Sequence, residues 1–237
     1  RLRNQGALLK EVRELLTLSR GYGMESVRQR AMSTAETVSA SLSEVVDDST
    51  LELVVDLRLA FGRLLAALGA NERAEKEHLD TAELSLSQGW TETACAALAL
   101  ASHAAQARGD RASSGRAWHQ CRDAMESWPM NRPGERCGIL VDAVGDPLVA
   151  VQVLSALAEV LVDGVEEDHS LAPIIREIIS RASEQASRCV SPPQGAVESL
   201  ARVEERIAPY GRGRGGRRRP GSTTTIRTDG RAASEGE

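Results

Sequence analysis

The sequence predicts an all-α protein: stacked antiparallel helix pairs, then a small helical bundle, then a disordered tail. Three observations carry this. Apolar residues recur at intervals of 3 and 4 through most of the 237 residues, and no stretch sustains the period-two alternation of a half-buried strand. Aromatic residues make up only 3% of the chain, with one Phe and three Trp. A core of Leu, Val, Ile and Ala suits close helix packing better than a sandwich, because strands favour β-branched and aromatic side chains. The periodic segments are also separated by Gly, Pro and helix-capping residues, the punctuation of short interhelical turns. With 41% hydrophobic residues, the chain is long enough to bury a sizeable core.

In order, Arg1 to Arg20 carries Leu8, Leu9, Val12, Leu15, Leu16 and Leu18 at helical spacing, and Gly21-Tyr22-Gly23 stops it. Met24 to Val46 resumes with Val27, Ala31, Ala35, Val38 and Leu42 on one stripe. Asp47-Asp48-Ser49-Thr50 breaks that helix and supplies caps for the next. Leu51 to Leu68 is strongly apolar, with Val54, Leu57, Phe61, Leu64, Leu65 and Leu68 in its stripe. Gly69 then ends it, and Asn71 is read as the following N-cap. Glu72 to Gln88 is much more polar, and its inward residues are read as Leu79, Ala82 and Leu86.

Thr91 to Met125 is the stretch around which the chain is organised. Thr91 is read as the cap of an Ala-rich helix lined with small side chains on almost every face, and Gly109-Asp110, a Gly followed by a cap residue, turns it into Arg111–Trp128. Such a helix lets neighbours approach on two sides. Pro129, Pro133 and Gly134 interrupt the pattern, and Arg136–Val144 is expected to be one or two helical turns. Asp146-Pro147 opens a helix to about Val162, since Asp caps and Pro fits the first helical position. Ser170 is expected to cap the next helix, through Ile174, Ile178 and Ala186, and Ala196 to Ala208 forms the last. Beyond Pro209 the apolar periodicity ends, so 209–237 is expected to be a disordered Arg/Gly-rich tail. The domain reading is a helical repeat region at 1–128, a C-terminal helical segment at 134–208, and the tail.

Three of the second helices share a pattern of small residues: Ala31/Ala35/Val38, Glu75/Leu79/Ala82 and Ala117/Cys121/Ala124, with starts 44 and 42 positions apart. In this pattern, roughly over residues 8–128, the chain resembles the tetratricopeptide repeat family. Its interval is longer than that family's period of about 34 residues, and Glu75 stands where the family carries a small residue. The resemblance implies a solenoid of helix pairs that holds a protein or peptide in a groove. The alternative is an irregular helical bundle whose Ala and Leu residues simply make a core.

Chemistry-bearing residues show no convergent set, and the chain is read as a non-enzyme with no catalytic residue, no metal ligand and no cofactor. His78, His103, His119 and His169 lack a second His or Cys at the i+3 or i+4 spacing that aims two ligands at one metal. Glu75, Glu77, His78, Asp80 and Glu83 read as a solvated acidic helix face. Cys95, Cys121, Cys137 and Cys189 form no CxxC pair and are expected to be reduced thiols, which places the protein in the cytoplasm. No apolar run reaches the roughly 18 residues of a membrane span. Trp118 is assigned to the core first among the three tryptophans.

The partner class expected is therefore a protein or peptide, gripped by polar residues of the first helices: Arg58, Arg63, His103 and Gln106. The leading functional reading is a non-enzymatic interaction scaffold or regulatory module of a larger bacterial cytosolic protein, the chain opening at Arg1 without Met. The alternative is the sensory or effector region of a transcription regulator whose DNA-binding domain lies upstream. An all-α enzyme is a third, lesser reading.

With a net charge of −5 the chain is not a general nucleic-acid binder. Arg212, Arg214, Arg217, Arg218 and Arg219 nonetheless make a local cationic arm, suited to nucleic acid or an acidic partner through phosphate contacts. A solubilising terminus is the favoured reading, because only Tyr210 is near enough to stack on bases. Nucleic-acid binding by the intact chain and by a chain ending at Pro209, titrated across a salt series, should be equally weak and salt-insensitive. A salt-dependent loss on truncation would establish the arm instead.

Overall fold

The same turn closes three successive helices. Gly69, Gly89 and Gly109 recur every 20 residues, each with a positive φ of 83°, 73° and 81°. In each, the Gly N–H donates to a carbonyl three residues back and the next N–H to one five back: Ala70 to Leu65, Trp90 to Ser85 and Asp110 to Ala105. This double bond satisfies helix-end carbonyls that would otherwise be orphaned, and the left-handed residue it requires favours glycine. The connections are only three residues long, so each helix folds back antiparallel to the one before it.

The computed structural model describes residues 2–42, 50–128 and 132–211. Ten α-helices and no strand occur among them: α1 (Leu2–Tyr22), α2 (Arg28–Leu42), α3 (Leu51–Ala67), α4 (Asn71–Ser87), α5 (Thr91–Ala107), α6 (Arg111–Glu126), α7 (Pro133–Val144), α8 (Pro147–Val162), α9 (Leu171–Ala186) and α10 (Gln194–Ile207). The protein is all-α, as the periodicity requires. Stacked antiparallel pairs lead into a small bundle gathered round α8. The tail expected to be disordered from 209 begins instead with a short 3-10 turn, Ala208–Gly211, whose Tyr210 packs on the core; the rest, with its five arginines, lies outside the described residues, as does the break at Asp47–Ser49.

Several local expectations change. Arg136–Val144 is part of a 12-residue helix from Pro133 rather than one or two turns, because Pro fits its first position. Asn71 and Thr91 are the first residues of their helices, not caps. Ser170 makes no side-chain cap bond; instead the Asp168 carboxylate accepts from its N–H at 2.9 Å. The Asp110 and Asp146 caps do form: Asp110 accepts from Ser113 N–H, and Asp146 from Leu148 and Val149.

The helix at the centre is α5. Thirteen of its 17 residues are buried, eight of them Ala or Cys, so neighbours surround it and only a stripe near His103, Gln106 and Ala107 is left to solvent. Here α4, α6, α7 and α8 all pack against it, along with an edge of α3. Two apolar clusters meet at this point. One joins α1, α2 and the Leu57/Phe61/Leu64 face of α3, and reaches Ala104. The other starts from Val55 and Leu59 on the opposite side of α3 and continues through α5 to Val203 and Ile207 of α10. Odd-numbered helices neighbour odd-numbered ones from α1 to α9, and among the even ones α6 packs on α8 and α8 on α10.

The second cluster is centred on α8, eleven of whose residues are buried and which packs on α9, α10, α7 and α6. Charged contacts hold this bundle to the stack. The buried Glu92 at the start of α5 pairs with Arg136 of α7. Arg63 of α3 donates to Val144 O at 3.1 Å, and Arg20 of α1 donates to Gly145 O. Both guanidiniums thus sit at the C-terminal end of α7, where the helix dipole favours cations. Trp128, rather than Trp118, is the fully buried tryptophan, at 4% exposure.

Because Ala97 and Ala101 are completely buried, a larger side chain has nowhere to go. Ala101→Leu should lower stability by about 1–3 kcal/mol in chemical denaturation through overpacking. An unchanged transition midpoint would show that α5 tolerates bulk and is not the close-packed centre.

Candidate functional site

The polar helix α4 buries a largely polar face that its sequence stripe does not announce. Its buried residues are Ala74, Glu75, His78, Thr81, Ala82 and Ser85, whereas Leu86 is 49% exposed and Leu79 only half-buried. The expectation that Leu79, Ala82 and Leu86 face inward together is therefore corrected. So is the solvated acidic face: Asp80 and Glu83 are exposed, but Glu75 and His78 are buried. Charge pairing and a matching gap on α3 make this possible.

Glu75 is held by Arg108, whose Nε donates to Glu75 Oε2 at 3.0 Å and whose Nη2 also reaches Asp110 at 3.2 Å. Arg108 lies in the turn before α6, so this ion pair ties α4 to the start of α6. Glu77 is paired with Arg58 of α3 at 3.1 Å, and burial pushes its carboxyl above the usual range. His78 occupies a slot opposite Gly62 of α3: a Cβ there would lie 2.4 Å from the imidazole Cε1. Its Nδ1 is buried without a hydrogen-bond partner. Burial, and then the nearby Arg63 charge, push its pKa down to about 3, so the ring is neutral.

With its polar side turned in, α4 leaves an apolar groove on the outer face. Leu79, Ala82 and Leu86 form one wall, Ala117 and Ala124 of α6 the other, and Leu98 of α5 the floor, around a volume of about 690 Å³. Consecutive helices are antiparallel, so α4 and α6 run parallel to each other. The lining stretches from Glu75 to Leu86 and from Ser113 to Ala124, three turns or about 17 Å at 1.5 Å per residue. Whereas α6 packs on α8 and α8 on α10, α4 and α6 are separated by this groove. It is a vacant position in the outer layer of helices.

The groove ends differ in charge. Glu83 and Asp123 stand on opposite walls where α4 and α6 approach their C-termini. At the other end, Arg116 donates to Ser113 Oγ at 2.8 Å, beside the Glu75–Arg108 pair. Asp123 has only a long contact, 3.9 Å, to the exposed His119.

Other hollows exist among the described residues. A cleft of about 810 Å³ lies among α5, α6, α8 and α10, with Gln106, Trp118, Gln152 and Glu159 in its walls. Its hydroxyls are engaged already: Ser102 donates to Ser114 O, Ser155 to Ala196 O and Ser199 to Glu159. A smaller hollow of about 500 Å³ lies between α3 and α7, edged by Arg13, Asp56, Arg63 and Asp142.

The four residues expected to bind a partner are not brought together. Arg58 is half-buried against Glu77, and Arg63 is committed to the end of α7, where burial lowers its pKa to about 10. His103 and Gln106 share the exposed stripe of α5, and only Gln106 lines a hollow. Arg212, Arg214, Arg217, Arg218 and Arg219 lie outside the described residues. The groove residues were visible in sequence as an apolar stripe on α4; their outward orientation was not.

Nucleophilic chemistry finds little support in the cysteines. Cys95 and Cys121 bury their thiols against each other's backbone carbonyls, and the neighbouring Cys95 side chain, together with burial, holds the Cys121 thiol well above its ordinary pKa. Burial pushes Cys137 up to about 11. No group of three or more His, Cys, Asp or Glu is placed to hold a metal ion among the described residues, and no described helix is long and apolar enough to cross a membrane.

Fold and groove together define a class, an all-α stack of helix pairs with an open slot in its outer layer. Comparison with protein-family models, with curated proteins and with solved structures returned no match.

The neutral, buried His78 makes stability depend on pH. Its folded pKa lies far below the unfolded value of about 6.5, so the unfolded chain takes up the proton first. The stabilising contribution is complete above about pH 6.5 and is lost as pH falls towards 3, by up to about 1.4 kcal/mol per unit. Urea denaturation between pH 7 and pH 5 should show this slope, and His78→Leu should flatten it. An equal slope in the variant would assign the effect to other groups.

Proposed function

We propose that this protein is a non-enzymatic interaction module that docks a segment of another protein in the groove between α4 and α6. The observation that carries the reading is the vacant outer-layer position. An apolar wall and floor three turns long stand open between helices whose counterparts further along the chain are packed together. Exposed apolar surface flanked by polar residues marks interaction sites on proteins whose other faces are polar. Stacked helix pairs of the tetratricopeptide kind present grooves of this scale to peptides, and the repeated Gly turns support kinship of architecture, although the interval of 20 residues per helix differs from theirs.

Buried free thiols fit a reducing compartment, and we place the protein in the cytoplasm as a regulatory or scaffolding module. The groove, rather than the Arg58, Arg63, His103 and Gln106 set, is where binding is expected.

A displayed library of random 16-residue sequences, selected on the full chain, tests the reading. Enriched sequences should lose at least tenfold in affinity when Leu86→Asp or Leu79→Asp is introduced, with the melting temperature retained. Failure to enrich any sequence, or enriched sequences indifferent to both substitutions, would overturn it.

A further inference from the structure

The groove also specifies the shape and charge of its occupant. We infer that it takes an amphipathic α-helix from a partner protein, with an apolar stripe of about three turns and Lys or Arg residues at one end of that stripe; this rests on the docking function proposed above. Three features argue for a helix rather than an extended segment. The slot lies between two parallel helices, and its floor is a third, α5. The layer it interrupts is made of helices, so a helix in the slot packs as α8 does between α6 and α10. The walls offer few backbone partners: within α4 and α6 the N–H and C=O groups are spent on their own helical bonds, whereas a bound strand needs an open edge.

Charge decides the rest. At the end where α4 and α6 approach their C-termini, Glu83 and Asp123 line the groove from opposite walls, and both helix dipoles add negative potential there. Glu83 makes no ion pair among the described residues, and Asp123 only the long contact to His119. A cationic side chain placed between the two carboxylates gains both attractions. An acidic side chain there meets four like-signed sources, two carboxylates and two helix ends. At the far end Arg116 and the Arg108–Glu75 pair leave a site that tolerates a carboxylate. Electrostatic matching of this kind sets specificity and register, while the apolar stripe supplies the affinity.

The test uses the full chain and three synthetic 17-residue peptides that share one Leu stripe. The first carries two Lys at one end of the stripe, the second carries Glu there, and the third is the first with a central Pro. Fluorescence anisotropy should show the Lys peptide binding at least tenfold more tightly than the other two. Glu83→Lys with Asp123→Lys should reverse the preference between the Lys and Glu peptides, and Leu86→Asp should abolish binding of the Lys peptide. Equal binding of the Lys and Glu peptides would overturn the charge assignment and leave docking intact. Equal binding of the Pro peptide would overturn the helical occupant alone. A Lys peptide that binds the Leu86→Asp protein undiminished would remove the groove, and the proposed function with it. A chain that self-associates through the groove, with dimers lost in Leu86→Asp and no peptide bound, would make the occupant a second copy and overturn the partner assignment.

Discussion

Close approach to α5 is the constraint on which the rest of the structure depends. Ala94, Ala96, Ala97, Ala99, Ala101, Ala104 and Ala105 let α4, α6 and α7 come near its backbone from different directions, and Cys95 and Cys121 fill what remains between α5 and α6. Dispersion contacts are individually small, and a close-packed helix collects many of them while losing almost no side-chain entropy. The cost is intolerance of volume. Both apolar clusters touch α5, one through Ala104 and the other through most of the helix, so the pairs on one side and the α8 bundle on the other are held in a common frame.

Around that frame the polar groups are arranged by pairing rather than by exposure. Glu75, Glu92 and His78 are almost inaccessible, and each has its own accommodation: an arginine from the turn between α5 and α6, an arginine from α7, and a gap left by Gly62. Burying charge is costly unless it is paired, which is why the two carboxylates lie within reach of Arg108 and Arg136. These pairs connect elements that the apolar contacts alone would hold less specifically. Their consequence is functional: with Ala74, His78, Thr81 and Ser85 against the stack, Glu75, Leu79, Ala82 and Leu86 share the face that lines the groove.

Much of this was legible in advance. Helix positions followed from apolar spacing, the Asp110 and Asp146 caps from residue type, and the central role of Thr91–Ala107 from its small side chains. Less legible were features that depend on a neighbour distant in sequence. Nothing in Asn71–Ser87 itself announces that a histidine would be buried, because the space it fills belongs to Gly62. Arg63 reads as a solvent-facing cation until the end of α7, some eighty residues on, supplies Val144 O as its acceptor. The 20-residue rhythm of Gly69, Gly89 and Gly109 was present in the sequence, but its meaning lies in three matching turn geometries.

The sequence by itself determined which segments are helical, where they stop, and that consecutive ones fold back on each other, because periodicity, capping and short glycine turns act over a few residues. Only the tertiary structure decided which face of α4 is inside. An amphipathic stripe states a preference for burial, and that preference is met only in part: Ala82 is buried and Leu79 half-buried, whereas Leu86 is exposed and the slot at Gly62 takes His78 into the stack. Those contacts act between helices, so no reading of α4 alone contains them. The groove between α4 and α6 is their product.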